Sequence, residues 1–334
     1  MRFLVATPFT DRSIEALSVY ARGLTGGLES AGHTVDLVER NALERMLPSG
    51  LRHLMYGIRI IPRVLRSDVV FALDTWSVGF PAFVAARLCR KRFAVRIGGD
   101  FLWEIYVERT REPILLSEFY SAKRRFTIRE RCTFRGIRSL VRGADALFFT
   151  TRFQREVWRD AYEFSDSRVH LLENYYPPKA AQRAPDGIVF VSAGRDMFLK
   201  NAGMVERVVA RIAAKHSGVS LDARALPYSE HLKRLERSYA VILPAFSEIC
   251  SNTAIEAVAR GKPFIMARDT GTKERLGECG IFIDMRSEKE LEGAVERMLE
   301  PGVYAKLQGA CRAFSFEHSW EDMAREICTA LRRT

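Results

Sequence analysis

Residues 239–268 read YAVILPAFSEICSNTAIEAVARGKPFIMAR. The run from Tyr239 to Leu243 is apolar and stops at Pro244, the pattern of a strand buried on both faces of a parallel sheet. A loop of small residues follows over 245–252, and a helix is expected over 253–260. Gly261 stands where a helix ends on a left-handed residue, and 262–268 form the next strand. Two carboxylates, Glu248 and Glu256, bracket the junction of loop and helix with seven residues between them.

A helix that starts just after a strand presents unpaired backbone N–H groups and a partial positive charge, which suit a phosphate. Ser251, Asn252 and Thr253 are short enough to let an anion reach those amides. Glu256, one turn into the helix, would sit beside that anion and accept two ribose hydroxyls. Glu248 would face the group on the other side of the diphosphate. Nucleoside at one carboxylate and sugar near the other is the layout of a nucleotide-sugar site.

The run P-x-F-x-E-x-x-S-N-T-x-x-E-A-x-A-x-G-x-P over 244–263 resembles the donor signature of the family-4 retaining glycosyltransferases, with its EX7E pair. The resemblance implies the GT-B fold: α/β, with two Rossmann-like domains facing each other across a cleft and a C-terminal helix crossing back to the first. Ala193-Gly194-Arg195, followed by Lys200 five residues after the arginine, is similar to the family's second signature. There Gly194 would admit the donor, while Arg195 and Lys200 would bring two cations to the diphosphate and stabilise charge as the sugar leaves. Family analogy also places the backbone amides of 269–274 near the diphosphate or the sugar. The catalytic set expected is Asp100, Arg195, Lys200 and Glu248, and the donor set adds Gly194, Ser251, Asn252, Thr253 and Glu256. No Asp-x-Asp occurs, so neither metal nor cofactor is expected, and the nucleoside-diphosphate sugar is the donor substrate.

The alternation of strands and helices runs the length of the chain. An acceptor domain is expected over 1–174, a linker over 175–186, a donor domain over 187–316, and over 317–334 the helix that packs back on the first domain. A βαβ unit opens the chain, with strands over 2–7 and 33–38 and a helix over 13–30. The family's glycine pair in the first loop is missing here, because Thr10-Asp11-Arg12-Ser13-Ile14-Glu15 stands in its place and Gly26-Gly27 falls deep in the helix. A later strand, 93–97, ends in Gly98-Gly99-Asp100, where ligands of open α/β sheets bind. Asp100 is therefore a candidate for holding a hydroxyl of the transferred sugar or the acceptor, or for capping the helix that begins at Phe101.

The 334 residues carry 52 Lys and Arg against 41 Asp and Glu, a formal net charge of +11 that calls for polyanion, anionic membrane or anionic substrate. Two segments concentrate it. Residues 51–66 mix Leu, Met, Tyr and Ile with four arginines, as in a segment lying on a membrane surface, and Pro62 is expected to break or kink that helix. Residues 123–142 hold eight basic residues and one acid, Glu130, a stripe suited to phosphates of lipid or lipid diphosphate. No stacking pattern, zinc spacing or helix-turn-helix accompanies it, so nucleic acid is not expected as a partner. The partners expected are a nucleotide sugar, a glycan or lipid-linked acceptor, and an anionic membrane surface through these two segments.

No apolar run reaches the ~18 residues of a membrane span, and the N-terminus enters a strand directly, without a secretory signal. The six cysteines show no C-x-x-C pair, which fits a reducing cytoplasm. Cytoplasmic location, with peripheral attachment to the inner membrane face, is the expectation. Two other readings stay open: a nucleotide-sugar epimerase of GT-B architecture, and a non-catalytic binder of polyanions or membranes.

Overall fold

The computed structural model describes residues 1–8, 15–192 and 197–333. The chain divides into two compact units, one of residues 1–102, 125–175 and 318–334, the other of residues 103–124 and 176–317.

The first unit holds six strands: β1 (Arg2–Thr7), β2 (Thr34–Glu39), β3 (Val69–Ala72), β4 (Arg92–Ile97), β5 (Ala146–Phe149) and β6 (Val169–Leu171). They form one sheet in the order β2-β1-β3-β4-β5-β6, every pair parallel. The second unit holds β7 (Ile188–Ser192), β8 (Val219–Asp222), β9 (Ala240–Leu243), β10 (Phe264–Ala267) and β11 (Gly280–Ile283). Its order is β11-β10-β9-β7-β8, again parallel throughout. In each sheet the second strand lies to one side of the first and the later strands to the other. That reversal makes the crevice at the carboxyl ends of the first and third strands the place where such sheets bind ligands.

Burial follows sequence closely. The central strands β3 (VVFA), β5 (ALFF), β9 (AVIL) and β10 (FIMA) are buried at every position, as strands covered by helices on both faces must be. The edge strands β2, β6 and β8 are only partly buried. The helix Asn252–Ala259 starts and stops within a residue of the expected bounds, and Gly261 ends the turn at φ +68°.

The helix Trp320–Arg333 belongs to the first unit, where it packs on the helix Glu15–Ser30. Two glycines permit this contact. A Cβ at Gly23 would come within 2.3 Å of the Trp320 ring, and one at Gly27 within 2.3 Å of the Trp320 carbonyl oxygen. The glycine pair that cannot serve the first loop thus contributes one member to helix packing. Tyr175 stacks flat on Trp320 at 4.4 Å, and Tyr20 meets it edge-on at 5.2 Å. The first loop itself, 10–14, lies outside the described residues.

Three features depart from a plain reading of the sequence. The helix Ser49–Arg66 runs through Pro62 without a break. Pro62 is exposed, so the ring and the missing N–H fall on the solvent side of the helix. Residues 103–124, although flanked in sequence by strands of the first sheet, pack in the second unit. Residues 176–186 are tied to that unit as well: Ala180 N donates to the Ala259 carbonyl, Lys262 Nζ to the Arg183 carbonyl, and Asp186 N to the Arg237 carbonyl.

The basic stripe forms the helix Ile128–Gly143. Its single acid, Glu130, is buried in a capping box, where its carboxylate accepts from Thr127 N at 2.7 Å.

Candidate functional site

In the second sheet the order reverses between β7 and β9, which pair in register from Phe190 with Ala240 to Ser192 with Ile242. The loops leaving these two strands converge. After β7 a 3-10 turn, Phe198–Lys200, leads through Asn201 (φ +46°) into the helix Ala202–Lys215. Asparagine tolerates the left-handed conformation, and here its Nδ2 also donates to the Met285 carbonyl at 2.8 Å. After β9, Phe246 N donates to the Leu199 carbonyl at 3.1 Å and the Phe198 and Phe246 rings meet at 5.3 Å. The result is an ion pair: Lys200 Nζ lies 3.0 Å from Glu248 Oε2, with the two side chains 22% and 27% exposed. Gly194 and Arg195 lie outside the described residues.

The loop after β10 holds the other side of Glu248. Glu248 N donates to the Asp269 carbonyl and Gly271 N to the Ile249 carbonyl, both at 3.1 Å. Thr272 Oγ1 accepts from Ser251 N and from Thr270 Oγ1, each at 3.0 Å. Residues 244–251 are therefore clamped between two neighbouring strand ends, which fixes where Glu248 sits and where the next helix begins.

Ser251 caps that helix, its hydroxyl accepting from Ala254 N at 3.2 Å while its carbonyl accepts from Ile255 N. The Ser251 side chain is thus buried and engaged by the backbone, Asn252 is exposed and Thr253 half-buried at the helix start. One turn on, Glu256 is largely buried, its side chain 12% exposed. Tyr228 Oη donates to Glu256 Oε1 at 2.8 Å, and His231 Nε2 is 3.8 Å from Oε2. Burial raises the Glu256 carboxyl to about 7, against the pull of the Tyr228 hydrogen bond and the Arg260 charge.

Burial together with Arg234 and Arg260 lowers His231 to about 4, so the ring is neutral near pH 7. Arg234 donates to His231 Nδ1 at 2.9 Å, which leaves the ring proton on Nε2, facing Glu256. Asp222 holds Arg234 in turn, at 3.2 Å. Tyr228 and His231 were not legible as site residues. Pro227 marks a helix start, and nothing local tells that the first turn of that helix faces the second carboxylate.

Glu108 was not anticipated either. From the 103–124 segment its carboxylate accepts Phe198 N at 3.2 Å and Leu199 N at 2.9 Å, bracing the turn that carries Lys200. The same segment meets the loops after β9 and β10, where Leu116 N donates to Ser247 Oγ and Ser117 N to Asp269 Oδ2.

Asp100 lies in the first unit, 1% exposed, and Trp158 Nε1 donates to its Oδ2 at 2.8 Å. A carboxylate so buried and engaged does not present itself to a sugar hydroxyl as it stands. Among the described residues no group of three or more His, Cys, Asp or Glu is arranged to hold a metal ion, and no helix is long and apolar enough to cross a membrane.

HepE of Anabaena, solved in complex with UDP, matches this structure over 100% of both chains with a TM-score of 0.67 at 12% identity. The chain has the GT-B fold. A Listeria monocytogenes protein assigned as a UDP-N-acetylglucosamine 2-epimerase also matches this structure, with a TM-score of 0.64 at 14% identity, over 99% of this chain and 96% of that one. No family model matches the sequence. Over 88 residues the chain is 33% identical to the D-inositol 3-phosphate glycosyltransferase of Acidothermus cellulolyticus, a stretch spanning 26% of this chain and 20% of that relative. The resemblance to GT-B glycosyltransferases read from the motifs is met in the fold and in this stretch of sequence.

Proposed function

We propose that this protein is a retaining glycosyltransferase that moves a sugar from a nucleoside-diphosphate sugar to a glycan or lipid-linked acceptor without a metal ion. The observation that carries the reading is the meeting of Lys200 and Glu248 at the strand ends where the second sheet reverses, beside the capped helix that carries Glu256. An anion at that place meets an ammonium and the first amides of a helix, and a diphosphate would compete with Glu248 for Lys200.

In this reading Lys200, with Arg195, stabilises the charge that grows on the diphosphate as the glycosidic bond breaks. Glu248, released from Lys200, accepts hydroxyls of the transferred sugar. Glu256, held by Tyr228, accepts hydroxyls of the ribose. Gly194, Asn252 and Thr253 let the phosphates approach the backbone, and Ser251 acts as the cap that aims the helix. Asp100, buried and engaged by Trp158, is assigned no direct contact with the sugar. The leaving phosphate oxygen takes the proton of the acceptor hydroxyl, so no enzymic base is assigned. The site of action is the cytoplasm, at the inner face of the membrane, in building a cell-envelope glycan.

Support for the donor class comes from HepE, whose structures contain UDP and UDP-glucose. The test is to incubate the protein, in the presence of a chelator, with uridine, guanosine and adenosine diphosphate sugars and candidate acceptors, and to follow product anomers by NMR. Retention at the anomeric carbon supports the reading, and inversion or a chelator-sensitive reaction contradicts it. The structural likeness to an assigned epimerase favours a second reading, in which the sugar nucleotide itself is converted. A second sugar nucleotide appearing without acceptor would establish that reading.

A further inference from the structure

The helix Ser49–Arg66 is apolar on two sides. Tyr56, Ile60 and Val64 are fully buried in the first unit. On the opposite side Leu51, Leu54, Met55, Ile58 and Leu65 are 48%, 59%, 39%, 59% and 56% exposed. Those five fall at i, i+3, i+4, i+7 and i+14, and so make one stripe along the helix. The short helix Ala42–Met46 adds Leu43 at 67% and Met46 at 83% exposure. A row this long of exposed large aliphatic side chains marks an interaction surface.

Charge decides what covers it. Arg52, Arg59, Arg63 and Arg66 run along one flank of the stripe, and the helix contains no acid. Arg59 meets Glu44, Arg63 meets Asp36 at 3.3 Å, and Arg52 donates to the Leu47 carbonyl, so these guanidiniums are held at the border of the apolar face. Next to it stands the basic helix Ile128–Gly143: the Trp76 ring lies 5.0 Å from the His53 ring of the stripe's own helix, and a Cβ at Gly136 of the basic helix would meet the same Trp76 ring at 2.5 Å, so Trp76 packs between the two. Ile128 is 76% exposed at the start of that second helix.

We propose that this face of the first unit docks on an anionic lipid bilayer. Leu51, Leu54, Met55 and Ile58 would enter the boundary of the acyl chains while Arg52, Arg66 and the neighbouring basic helix lie over headgroup phosphates, Arg59 and Arg63 staying with their acidic partners Glu44 and Asp36. Apolar side chains supply the adhesion, and the arginines select negatively charged lipid over neutral lipid. The proposal stands on this surface alone and holds whichever donor the second unit takes.

The test is co-sedimentation of the full chain with vesicles of phosphatidylcholine alone and of phosphatidylcholine with one-third phosphatidylglycerol. The wild type is compared with Leu54→Glu/Ile58→Glu and with the milder Leu54→Ser/Ile58→Ser. Binding to the anionic vesicles is expected, falling about 100-fold in the glutamate variant, with less binding to neutral vesicles and at high salt. Both variants should keep the wild-type melting temperature, since the two side chains are largely outside the core. Wild-type protein that stays in the supernatant, or a glutamate variant that binds as well as wild type, overturns the proposal. So does light scattering that shows a dimer lost in the variant while vesicles bind neither protein, because the covering surface is then a second copy of the chain. Thermal shifts with nucleotide sugars, read on the same variants, report the donor site separately.

Discussion

Lys200 Nζ sits 3.0 Å from Glu248 Oε2, and this ion pair links the loops that leave β7 and β9. Neither residue is near the other in sequence. They meet because the two strands are neighbours in the sheet and because Phe246 N anchors one loop to the Leu199 carbonyl of the other. Both side chains keep some contact with solvent, so the pair adds little to stability, about 1 kcal/mol or less.

Lys200→Ala should therefore separate function from folding. Sugar transfer is expected to drop by at least about 100-fold, the scale of losing one charged group that stabilises a developing anion. The melting temperature should move by only a few degrees. Arg195→Ala should behave in the same way. Steady-state kinetics beside a thermal melt decides it, and near-normal turnover in either variant removes the leaving-group role.

Glu256 gives a prediction in pH. Its carboxyl is raised to about 7 by burial, so its contribution to stability is complete in acid, below the range of an ordinary glutamate. That contribution is lost as pH rises through about 7, where the buried group must ionise. Glu256→Gln keeps an acceptor for the Tyr228 hydroxyl and removes the ionisation. The variant should match wild type near pH 4.5 and exceed it at pH 8, by a difference of order 3 kcal/mol at most. Denaturant melts across pH read this directly, and a pH-independent difference contradicts it.

Glu108 is expected to act on the donor loop from outside it. Its carboxylate holds the amides of Phe198 and Leu199, the first residues of the turn that ends at Lys200. Glu108→Ala leaves both amides without that acceptor, at a cost of about 1–3 kcal/mol. The loosened turn should raise KM for the donor more than it lowers kcat. A variant with wild-type KM and stability would show that the brace is dispensable.

Gly27 offers a test of the C-terminal helix. A methyl group there would fall 2.3 Å from the Trp320 carbonyl oxygen, and backbone at that distance has no rotamer to move to. Gly27→Ala should destabilise the protein by about 1–3 kcal/mol despite the better helix propensity of alanine. Gly26→Ala, where a Cβ meets nothing within 4 Å, is the control and should be neutral or stabilising.

Most strands and helices were legible because each is short and its apolar run or period is clear. Residues 239–268 announce strand, loop, helix and left-handed glycine in order, and the structure has each within a residue or two, whereas the capping of that helix by Ser251 was not read from the sequence. The pairing of Lys200 with Glu248 was not legible, since it depends on which strands become neighbours. Tyr228 and His231 reach Glu256 from a helix 28 and 25 residues away, a distance along the chain that no local pattern bridges. The 103–124 segment reads as part of the first domain because it lies between β4 and β5. Its own contacts, through Glu108 and Leu116, are with the second. Pro62 misleads for a simpler reason: a proline stops a helix only where the missing hydrogen bond and the ring cannot be turned to water.

The most direct measurement of the central claim is isothermal titration of nucleotide sugars into wild-type protein and the Lys200→Ala variant. The account predicts that a nucleoside-diphosphate sugar binds the wild type and that the variant binds it at least about tenfold more weakly, the loss of a charge-assisted contact worth about 1.4 kcal/mol or more. Equal affinity in the two proteins, or no binding of any such sugar to the wild type, would contradict it.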